Sequence, residues 1–515
     1  MVSKIGLTRH RQRDAIPLAA AAAMAFFTFA IYVRTLAPTI TLRNNGADSG
    51  DLVTAAINLG VPHPTGYPLY TMLAHMFTLL PCAEPARRVN LLSSVAAAAA
   101  TGIVFWLAYR LTLAHGRTAV LTAWTGAGLL AFGELLWSQA VIAEVHSLQA
   151  LLVAILLGIL LCGPATFRPY LLALVFGFAL ANHLAIVLWL GALWPYIPAA
   201  RRWLTAQRCI GIGLCLLPGL LMYLYMPLRA GVHPVPNWGQ ASRLSGWLWL
   251  VSGAAYRHYL AAVPPAQLLQ RLSAWTGIWL RELSVLGLAL AFLGLWHGLE
   301  TQRQFTLCEL TYALLVSAYS MLYAPYDSYL YLLPLAIIVA LWTASGAAEM
   351  TQGIAAWARS SRERLLAVDA AVVILCIMPL ASIAARFHML DCSRDYEAYR
   401  FATQVLDSAD PGAIVLSNGD SETFPLWYVR YGLGRRSDVT VVDRSLLAFD
   451  WYRAEVAWQH PEWAGVVGAP DAGAAVAALL AQEGLRRPVH LLDSDTFLLQ
   501  IAVWRREAHF FTLSR

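Results

Sequence analysis

Two carboxylates and a histidine follow closely on the first long apolar run of the chain. Asp48 and Asp51 stand three positions apart in NNGADSGDLVTAAINLG, and His63 follows in VPHPTGYPLY. A carboxylate at such a site can serve as a general base. We predict a short amphipathic helix from Asp48 to Leu59, which places both carboxylates on one face. It should end at Gly60, where positive φ is permitted, and the prolines around His63 then require a turn.

A structural interpretation of the same residues is available. Asp48 is a workable helix N-cap, and an acid in the first turn complements the helix dipole. The location favours a functional role, because only 13% of the chain is charged and these acids lie within a few residues of an apolar run. Ionisable groups at membrane depth are rare and usually functional.

The composition is that of a membrane protein with many spans. The 515 residues are 59% hydrophobic and include 19 Trp, and the mean hydropathy is +0.57. The net charge of +6 comes with arginines in short clusters between apolar runs. This pattern is typical of cytoplasmic loops and argues against a nucleic-acid partner. The seven cysteines form no CxxC pair, so neither a zinc site nor a disulfide framework is predicted.

We predict about eleven crossings in residues 1–390. The first run, Ile16 to Val33, lacks a cleavage pattern and is interpreted as a retained span. Residues 64–81 are too short and proline-rich for a crossing and are predicted to form an interfacial or re-entrant helix. The predicted spans are about 16–33, 89–109, 118–138, 147–162, 170–181, 184–198, 209–228, 275–296, 305–323, 328–346 and 366–385.

The positive-inside rule orients these spans. Basic residues at Lys4, Arg9, Arg11 and Arg13 predict a cytoplasmic N-terminus, so the first outer loop, 37–88, lies outside. A break at Asn182-His183 is required, because one unbroken helix would leave the arginines near position 201 on the wrong side. The remaining polar motifs then share the outer face, namely Glu144 with His146, Asn182 with His183, Arg229, Asn237 with Trp238, and Asp327.

From about Asp391 the composition becomes that of a soluble domain, 391–515. Three short β-rich runs alternate with helical stretches and predict a small parallel sheet outside the membrane. These runs are Gly412–Leu416, Val439–Val442 and Val489–Leu492. Asn418-Gly419-Asp420 and Asp443-Arg444 fall where strands end, the usual place for a ligand in such sheets. Turn chemistry explains Asn-Gly-Asp equally well.

Carboxylates, histidines and an arginine on one outer face suit the transfer of a sugar from a lipid-borne donor, a polyprenyl phosphate, to an acceptor in water. Such a transfer needs a base for the acceptor hydroxyl and cationic or hydrogen-bonding groups for the departing phosphate. A carboxylate suits the first role and Arg229 suits the second. The spans and interfacial helices would hold the polyprenyl chain.

Several motifs in register resemble the protein O-mannosyltransferase-like family of polytopic membrane proteins. In chain order they are ADSGD, HPTGYPLY, AEVHSL, GFALANH, YLYMPLRA with NWG, and YDSYLYLLP, covering residues 16 to about 345. The resemblance implies a mainly α fold of GT-C type, which is used by glycosyltransferases that depend on polyprenyl-phosphate sugars. It leaves residues 391–515 as a small α/β extracytoplasmic domain.

The resemblance also implies roles for single residues. Asp48 would be the catalytic base and Asp51 the second acid, while Glu144 would bind the acceptor or orient the donor. His63 and His183 would contact phosphate or sugar hydroxyls, although a histidine at a helix end is often structural. The other expected substrate-binding residues are Tyr67, His146, Asn182, Arg229, Asn237, Trp238 and Asp327.

The expected function is inverting transfer of a hexose, mannose being the first choice, from a polyprenyl phosphate to a hydroxyl of a protein or glycan. Inversion follows from the GT-C class. A divalent metal, Mg²⁺ or Mn²⁺, is possible, but the sequence offers no defined set of ligands. The expected location is a bacterial inner membrane with a periplasmic active site. A lipid or solute transporter and a non-catalytic scaffold are the alternatives, although transporters usually show two similar halves and this chain shows none.

Overall fold

The computed structural model describes residues 2–357, 360–484, 486–493, 502–507 and 509–513. The side chains of Lys4, Arg9, Arg11 and Arg13, and part of the predicted domain 391–515, lie outside the described parts of the chain.

The first 390 residues form a bundle of helices, many of them long and apolar. An apolar run becomes a helix in a membrane because a helix satisfies every backbone N–H and C=O group internally. In chain order the helices are α1 (Val2–Thr35), α2 (Ser49–Asn58), α3 (Pro68–Thr78), α4 (Pro85–Thr112), α5 (Ala119–Ala131), α6 (Glu134–Ala140), α7 (His146–Cys162), α8 (Arg168–Asn182), α9 (Leu188–Ala192), α10 (Ile197–Trp203), α11 (Ala206–Leu221), α12 (Tyr225–Ala230), α13 (Leu244–Val251), α14 (Pro265–Thr301), α15 (Arg303–Leu322), α16 (Leu333–Trp357) and α17 (Ser361–Leu390).

Seven helical segments of the described chain are long and apolar enough to cross a membrane. The number is eight if α5 and α6, which bend by 61° at their junction, form one span. The predicted count of eleven is therefore not reproduced by long helices. The difference lies in 147–203, where α7 and α8 have only 17 and 15 residues and the following segment divides into short helices. Pro195 and Pro198 lie in that segment and keep it from forming one helix, because proline has no backbone N–H to donate.

Two local predictions near polar motifs have different outcomes. The break at Asn182-His183 is confirmed, because α8 ends at Asn182 and His183 has extended backbone angles. The prediction that Gly60 supplies positive φ after α2 is wrong, since Leu59 takes the left-handed conformation with φ 49°. Glycine is needed at position 60 for space, because a Cβ there would lie 2.7 Å from the Pro236 carbonyl oxygen.

The C-terminal part contains a five-stranded sheet and further helices. The predicted parallel strands are confirmed, with β1 pairing in parallel with both β2 and β3. Two antiparallel strands extend the sheet, so its order is β2-β1-β3-β5-β4, and sequence periodicity missed this extension. The elements are α18 (Glu397–Ser408), β1 (Ile414–Ser417), α19 (Asp420–Trp427), β2 (Thr440–Asp443), α20 (Asp450–Gln459), α21 (Ala464–Val467), α22 (Ala472–Glu483), β3 (Val489–Leu491), β4 (Trp504–Arg506) and β5 (Phe511–Leu513).

Helix α19 brings the C-terminal part against the first polar motif. It packs on α2, and the approach is so close that a Cβ at Gly50 would lie 2.4 Å from the Phe424 carbonyl oxygen. Gly50 is therefore required by contact between the two parts of the chain. We call the end of the bundle that carries Asp48, His63 and Glu144 the motif end.

A histidine–carboxylate cluster lies at the other end of the bundle. Glu349 of α16 places Oε1 2.7 Å from His115 Nε2 and 3.2 Å from His297 Nδ1. His115 follows α4 and His297 belongs to α14, so one carboxylate joins three helices. We call this group the Glu349 cluster.

Candidate active site

Asp51 is the fixed centre of the site. Its side chain is fully buried, and Oδ2 accepts hydrogen bonds from the His63 backbone N–H at 3.0 Å and from His63 Nδ1 at 2.7 Å. Its Oδ1 accepts from Trp238 Nε1 at 3.1 Å. With three donors directed at it, Asp51 holds both the backbone and the ring of His63 in place.

His63 lies between the two carboxylates of the motif. Its Nδ1 faces Asp51, and its Nε2 lies 3.4 Å from Asp48 Oδ2. Burial alone would lower the pKa of His63, but the charge of Asp48 and the hydrogen bond to Asp51 outweigh burial and raise that pKa to about 10. His63 is therefore an imidazolium at neutral pH, donating Nδ1–H to Asp51 and facing Asp48 with Nε2–H.

Asp48 is the more accessible carboxylate. It stands at the N-cap position of α2, but its side chain, which is 36% exposed, makes no capping hydrogen bond there. Burial raises the pKa of Asp48, the charge of His63 opposes that rise, and Asp51 adds to it. The result is an accessible carboxylate of increased basicity, which is what a general base requires.

Two further acids belong to the same electrostatic group. Burial, then the charge of Asp48, raises the pKa of Glu144 well above its ordinary value, and Asp327 adds to this effect. Desolvation by the surrounding chain, then the charge of Asp48, raises the pKa of Asp420 to about 7, although the residue keeps an exposed surface. The predicted acids Glu144 and Asp327 are thus brought towards Asp48, and the C-terminal part contributes an acid of its own.

Asp420 was not among the predicted site residues. It begins α19, and four residues later the Phe424 ring stacks over His63 with a centroid distance of 6.4 Å. The Asn-Gly-Asp signal at the end of the first strand could have identified it, but the sequence could not show that this strand end faces the membrane part. Tyr256, in the segment between α13 and α14, was also missed. After burial, Asp48 and Asp420 raise its pKa further.

Three predicted residues form an aromatic row that leads away from His63. The Tyr67 ring lies 5.0 Å from His63 and 5.9 Å from His183, and its hydroxyl donates to the Pro64 carbonyl at 2.9 Å. His146 lies 5.7 Å beyond His183. His146 and His183 line a small cavity of about 20 Å³ with Tyr331 and other aromatic residues. This arrangement keeps all three residues candidates for substrate contact.

Other predicted residues bond to the protein itself. Arg229 donates from Nε to the Leu59 carbonyl at 2.8 Å and from Nη2 to the Asn58 carbonyl at 3.1 Å. It therefore caps the C-terminus of α2, where a cation also complements the helix dipole. The predicted phosphate role of Arg229 gains no support from these contacts and stays a prediction.

The two predicted asparagines are similarly engaged. Asn182 donates to the Val145 carbonyl and to Gln149 Oε1, at 3.2 and 2.9 Å. Asn237 donates to Glu455 Oε2 at 3.0 Å, which joins the segment before Trp238 to α20. Trp238 itself supports Asp51. Structural roles account for these contacts, and substrate binding by either asparagine remains untested.

The donor set does not fit a resident metal ion. Among the described residues, no three His, Cys, Asp or Glu side chains are placed so that they could hold one metal ion. The acids around Asp48 surround an imidazolium instead of a common point.

Two family profiles match this chain. Residues 48–224 match the protein O-mannosyl-transferase TMEM260 N-terminal domain, and residues 398–463 match TMEM260-associated domain 2. The first match begins at Asp48, and the second contains Asp420 and Phe424.

Named relatives carry the same description. The protein O-mannosyl-transferase TMEM260 of Mus musculus is 27% identical over 462 residues, covering 82% of this chain and 63% of the relative. The protein of that name from Dictyostelium discoideum is 22% identical over 481 residues, covering 82% of this chain and 57% of the relative. The chain thus spans about three fifths of the length of these relatives.

Solved structures of ArnT from Cupriavidus metallidurans share the fold over nearly the whole chain. The structure bound to undecaprenyl phosphate has a TM-score of 0.52 at 12% identity and covers 96% of this chain and 97% of ArnT. The apo structure has a TM-score of 0.53 at 13% identity and covers 96% of each chain. At this identity the likeness shows the fold alone.

Proposed function

Because the chain is a member of the protein O-mannosyltransferase-like family and has the GT-C fold, we propose that it is a membrane glycosyltransferase. It takes a hexose, mannose being the first choice, from a polyprenyl phosphate. It passes the sugar to a hydroxyl group of a protein or glycan. The similarity of ArnT bound to undecaprenyl phosphate supports the donor class, and the names of the relatives support the sugar and a protein acceptor.

One observation carries the proposal, namely the contrast between Asp51 and Asp48. Asp51 has its charge satisfied by three donors, whereas Asp48 is 36% exposed and, among the described residues, has one ion-pair contact, of 3.4 Å to His63. A transferase needs an accessible base with a fixed position, and Asp48 has both properties because Asp51 fixes His63 beside it.

The reaction uses these groups as follows. Asp48 accepts the proton of the acceptor hydroxyl as the oxygen attacks the anomeric carbon of the sugar. The bond between that carbon and the phosphate oxygen breaks on the opposite face, so the configuration inverts and the bonding electrons leave with the polyprenyl phosphate. The His63 imidazolium keeps Asp48 ionised before the reaction, opposing the effects of burial and of the Asp51 charge.

We also place the motif end on the periplasmic side of a bacterial inner membrane, with the N-terminus in the cytoplasm. The distribution of arginines between the spans supports this orientation. It puts Asp48 where a lipid in the outer leaflet and an acceptor in water can meet.

The test is transfer of labelled mannose from a synthetic polyprenyl-phosphate mannose by detergent-purified protein to a pool of periplasmic proteins and glycans. Asp48→Asn should lower the rate by about 10²- to 10⁴-fold. The control is Asp407→Asn, which alters an exposed carboxylate paired with Arg435 and should leave the rate unchanged. Equal rates for Asp48→Asn and wild type would refute the base assignment. A scaffold or a transporter would tolerate this substitution, and NMR of the anomeric proton in the product decides inversion.

A further inference from the structure

A short outer segment, 235–238, lies between the candidate site and the C-terminal part. On the side of the site, the Val61 backbone N–H donates to the Pro236 carbonyl at 2.8 Å, and the Trp238 backbone N–H donates to the Val61 carbonyl at 3.1 Å. Val61 lies two positions before His63. These backbone hydrogen bonds attach the outer segment to the turn that carries the histidine.

Helix α20 of the C-terminal part holds the other side of this segment through one buried carboxylate. Glu455 is 4% exposed, and its Oε2 accepts hydrogen bonds from Asn237 Nδ2 at 3.0 Å and from His233 Nδ1 at 2.8 Å. Asn237 Nδ2 also donates to the Ala230 carbonyl at 3.3 Å, so both partners of this nitrogen are acceptors and agree with the orientation of the amide. A charged acceptor makes such hydrogen bonds stronger than neutral ones.

Aromatic rings reinforce the same contact. The His233 ring stacks on Trp458 with centroids 3.8 Å apart and an interplanar angle of 10°. The Trp238 ring packs against Trp451 at a centroid distance of 5.1 Å. Trp451, Glu455 and Trp458 follow one another at spacings of one helical turn in α20, so one face of this helix meets the outer segment.

The segment ends at the indole that supports the candidate site. Trp238 Nε1 donates to Asp51 Oδ1 at 3.1 Å, and Asp51 Oδ2 accepts from His63 Nδ1 at 2.7 Å. His63 Nε2 in turn lies 3.4 Å from Asp48 Oδ2. The contacts therefore form a series from Glu455 to the proposed base, in which the backbone supplies the link between the asparagine amide and the indole.

We propose that Glu455 is a positioning residue of the transferase, acting on the base through Trp238 and Asp51. This inference rests on the proposed function. The buried carboxylate holds its donors in one geometry, because a buried donor that loses its acceptor stays unsatisfied. The rate of transfer depends on that geometry, because a small displacement of the base separates it from the acceptor hydroxyl. The C-terminal part is thus a working component of the site.

The test compares Glu455→Ala with Glu455→Gln in the labelled-mannose assay on the full chain, with rates expressed per folded protein. Glu455→Ala removes the acceptor, so kcat should fall by about 10- to 100-fold with little change in the KM of the donor. Glutamine keeps a carbonyl oxygen that accepts from the same donors, so Glu455→Gln should stay within about threefold of wild type. The matched control is Glu483→Ala, which removes a similarly buried carboxylate whose ion-pair partner is Arg486, and it should leave kcat unchanged.

The pH dependence of kcat separates positioning from folding. Burial raises the pKa of Asp48, and the charge of His63 opposes this rise. When His63 is no longer held beside Asp48, the pKa of Asp48 rises further, and the acid limb of the rate profile moves to higher pH. Glu455→Ala should move it by about 0.5 to 1 pH unit, whereas Glu455→Gln and Glu483→Ala should not. Other titratable groups around Asp48 are unchanged in these variants, namely Asp51, Tyr67, Glu144, Tyr256, Asp327 and Asp420.

Hydrogen exchange measured by mass spectrometry reports the same positions without sugar transfer. The His63 backbone N–H donates to Asp51 Oδ2 at 3.0 Å, and the Val61 N–H donates to the outer segment. Glu455→Ala should raise the exchange rate of the peptide that contains positions 61–63 by about tenfold, and Glu483→Ala should leave it unchanged.

The outcomes separate this inference from the proposed function. Equal kcat for Glu455→Ala and wild type would overturn the inference and leave the transferase proposal standing. A lower kcat without a shift of the acid limb would also overturn it, as would an equal loss in Glu455→Gln, which keeps the acceptor. Faster exchange at positions 61–63 of Glu455→Ala, in a protein whose wild type transfers no sugar, would support the contact and count against the transferase. Unchanged exchange would overturn the inference in either case.

Discussion

The bundle carries a histidine–carboxylate cluster at each end, and the two clusters differ in what they leave unsatisfied. In the Glu349 cluster one carboxylate contacts two histidines and joins three helices. Its Oε1 lies 2.7 Å from His115 Nε2 and 3.2 Å from His297 Nδ1. At the motif end the Asp51 carboxylate likewise binds a histidine, His63. There, however, a second carboxylate, Asp48, adds a charge that the fold does not need.

The acids around Asp48 reinforce this difference. Glu144 and Asp420 both have raised pKa values, through burial and then through the charge of Asp48. A fold gains nothing from gathering like charges in a partly buried space. This excess of carboxylates supports the proposal that the motif end carries the function, whereas helix packing alone accounts for the Glu349 cluster.

The largest expected effect is that of Asp51→Asn. It leaves the His63 imidazolium buried without its main carboxylate, and breaking a buried pair in this way costs about 3–5 kcal/mol. We expect unfolding at a lower SDS fraction and loss of sugar transfer together.

A second substitution shows whether the broken Asp51–His63 pair explains the loss of stability. Adding His63→Gln to Asp51→Asn removes the unpaired charge and should recover part of the stability without recovering transfer. A double variant less stable than Asp51→Asn alone would contradict the assigned pairing.

The next effect distinguishes the two ends directly. Glu349→Gln weakens the contacts to His115 and His297 and should lower stability by about 1–3 kcal/mol. The rate of transfer, measured below the new melting temperature, should stay within about twofold of wild type because the cluster lies far from Asp48. A loss of rate comparable to that of Asp48→Asn would show that the Glu349 cluster also takes part in function.

The pH dependence of stability tests the charge of His63. Its folded pKa of about 10 lies above the ordinary value of 6.5, so its stabilising contribution is complete below pH 6.5 and is lost as the pH rises to about 10. The melting temperature of wild type should therefore fall across this range relative to that of His63→Gln. Parallel curves for the two proteins would show that His63 is neutral in the folded state.

The smallest effect concerns Asp420. Its folded pKa of about 7 exceeds the ordinary 3.8, so the folded state binds the proton more tightly and loses stability as the pH rises from about 4 to 7. Asp420→Asn removes this loss. It should equal wild type in melting temperature near pH 4 and exceed it near pH 7, while Asp407→Asn should follow wild type at both. A constant difference between Asp420→Asn and wild type would argue against the raised pKa.

The sequence predicted those features that depend on neighbours along the chain. The helix after Asp48, the break at His183 and the three parallel strands follow from proline placement and periodicity, which act over a few residues. The count of spans was less accurate, because short apolar helices and bent pairs have the composition of full spans. Gly60 was predicted to supply a positive φ, but the glycine is required because the chain packs closely against Pro236.

Roles of single residues needed the tertiary structure. By sequence alone Asp48 and Asp51 are two acids on one helix, and only the positions of His63 and Trp238 show that one is satisfied and the other is not. Arg229 is predicted to contact phosphate, and only the fold shows that it binds the carbonyls that end α2. Asp420 lies 372 positions after Asp48, a separation at which no local pattern predicts contact.

The sequence by itself determined the membrane character of the protein and its resemblance to a family, and it predicted the loop in which we place the chemistry. These follow from composition and short motifs, which are properties of the chain in any conformation. The tertiary structure alone decided which carboxylate remains accessible, which arginine binds backbone carbonyls and which part of the C-terminal sheet faces the site. Such properties depend on hydrogen-bond partners distant in the chain, because a polar group becomes satisfied or exposed only when the fold brings its partners together.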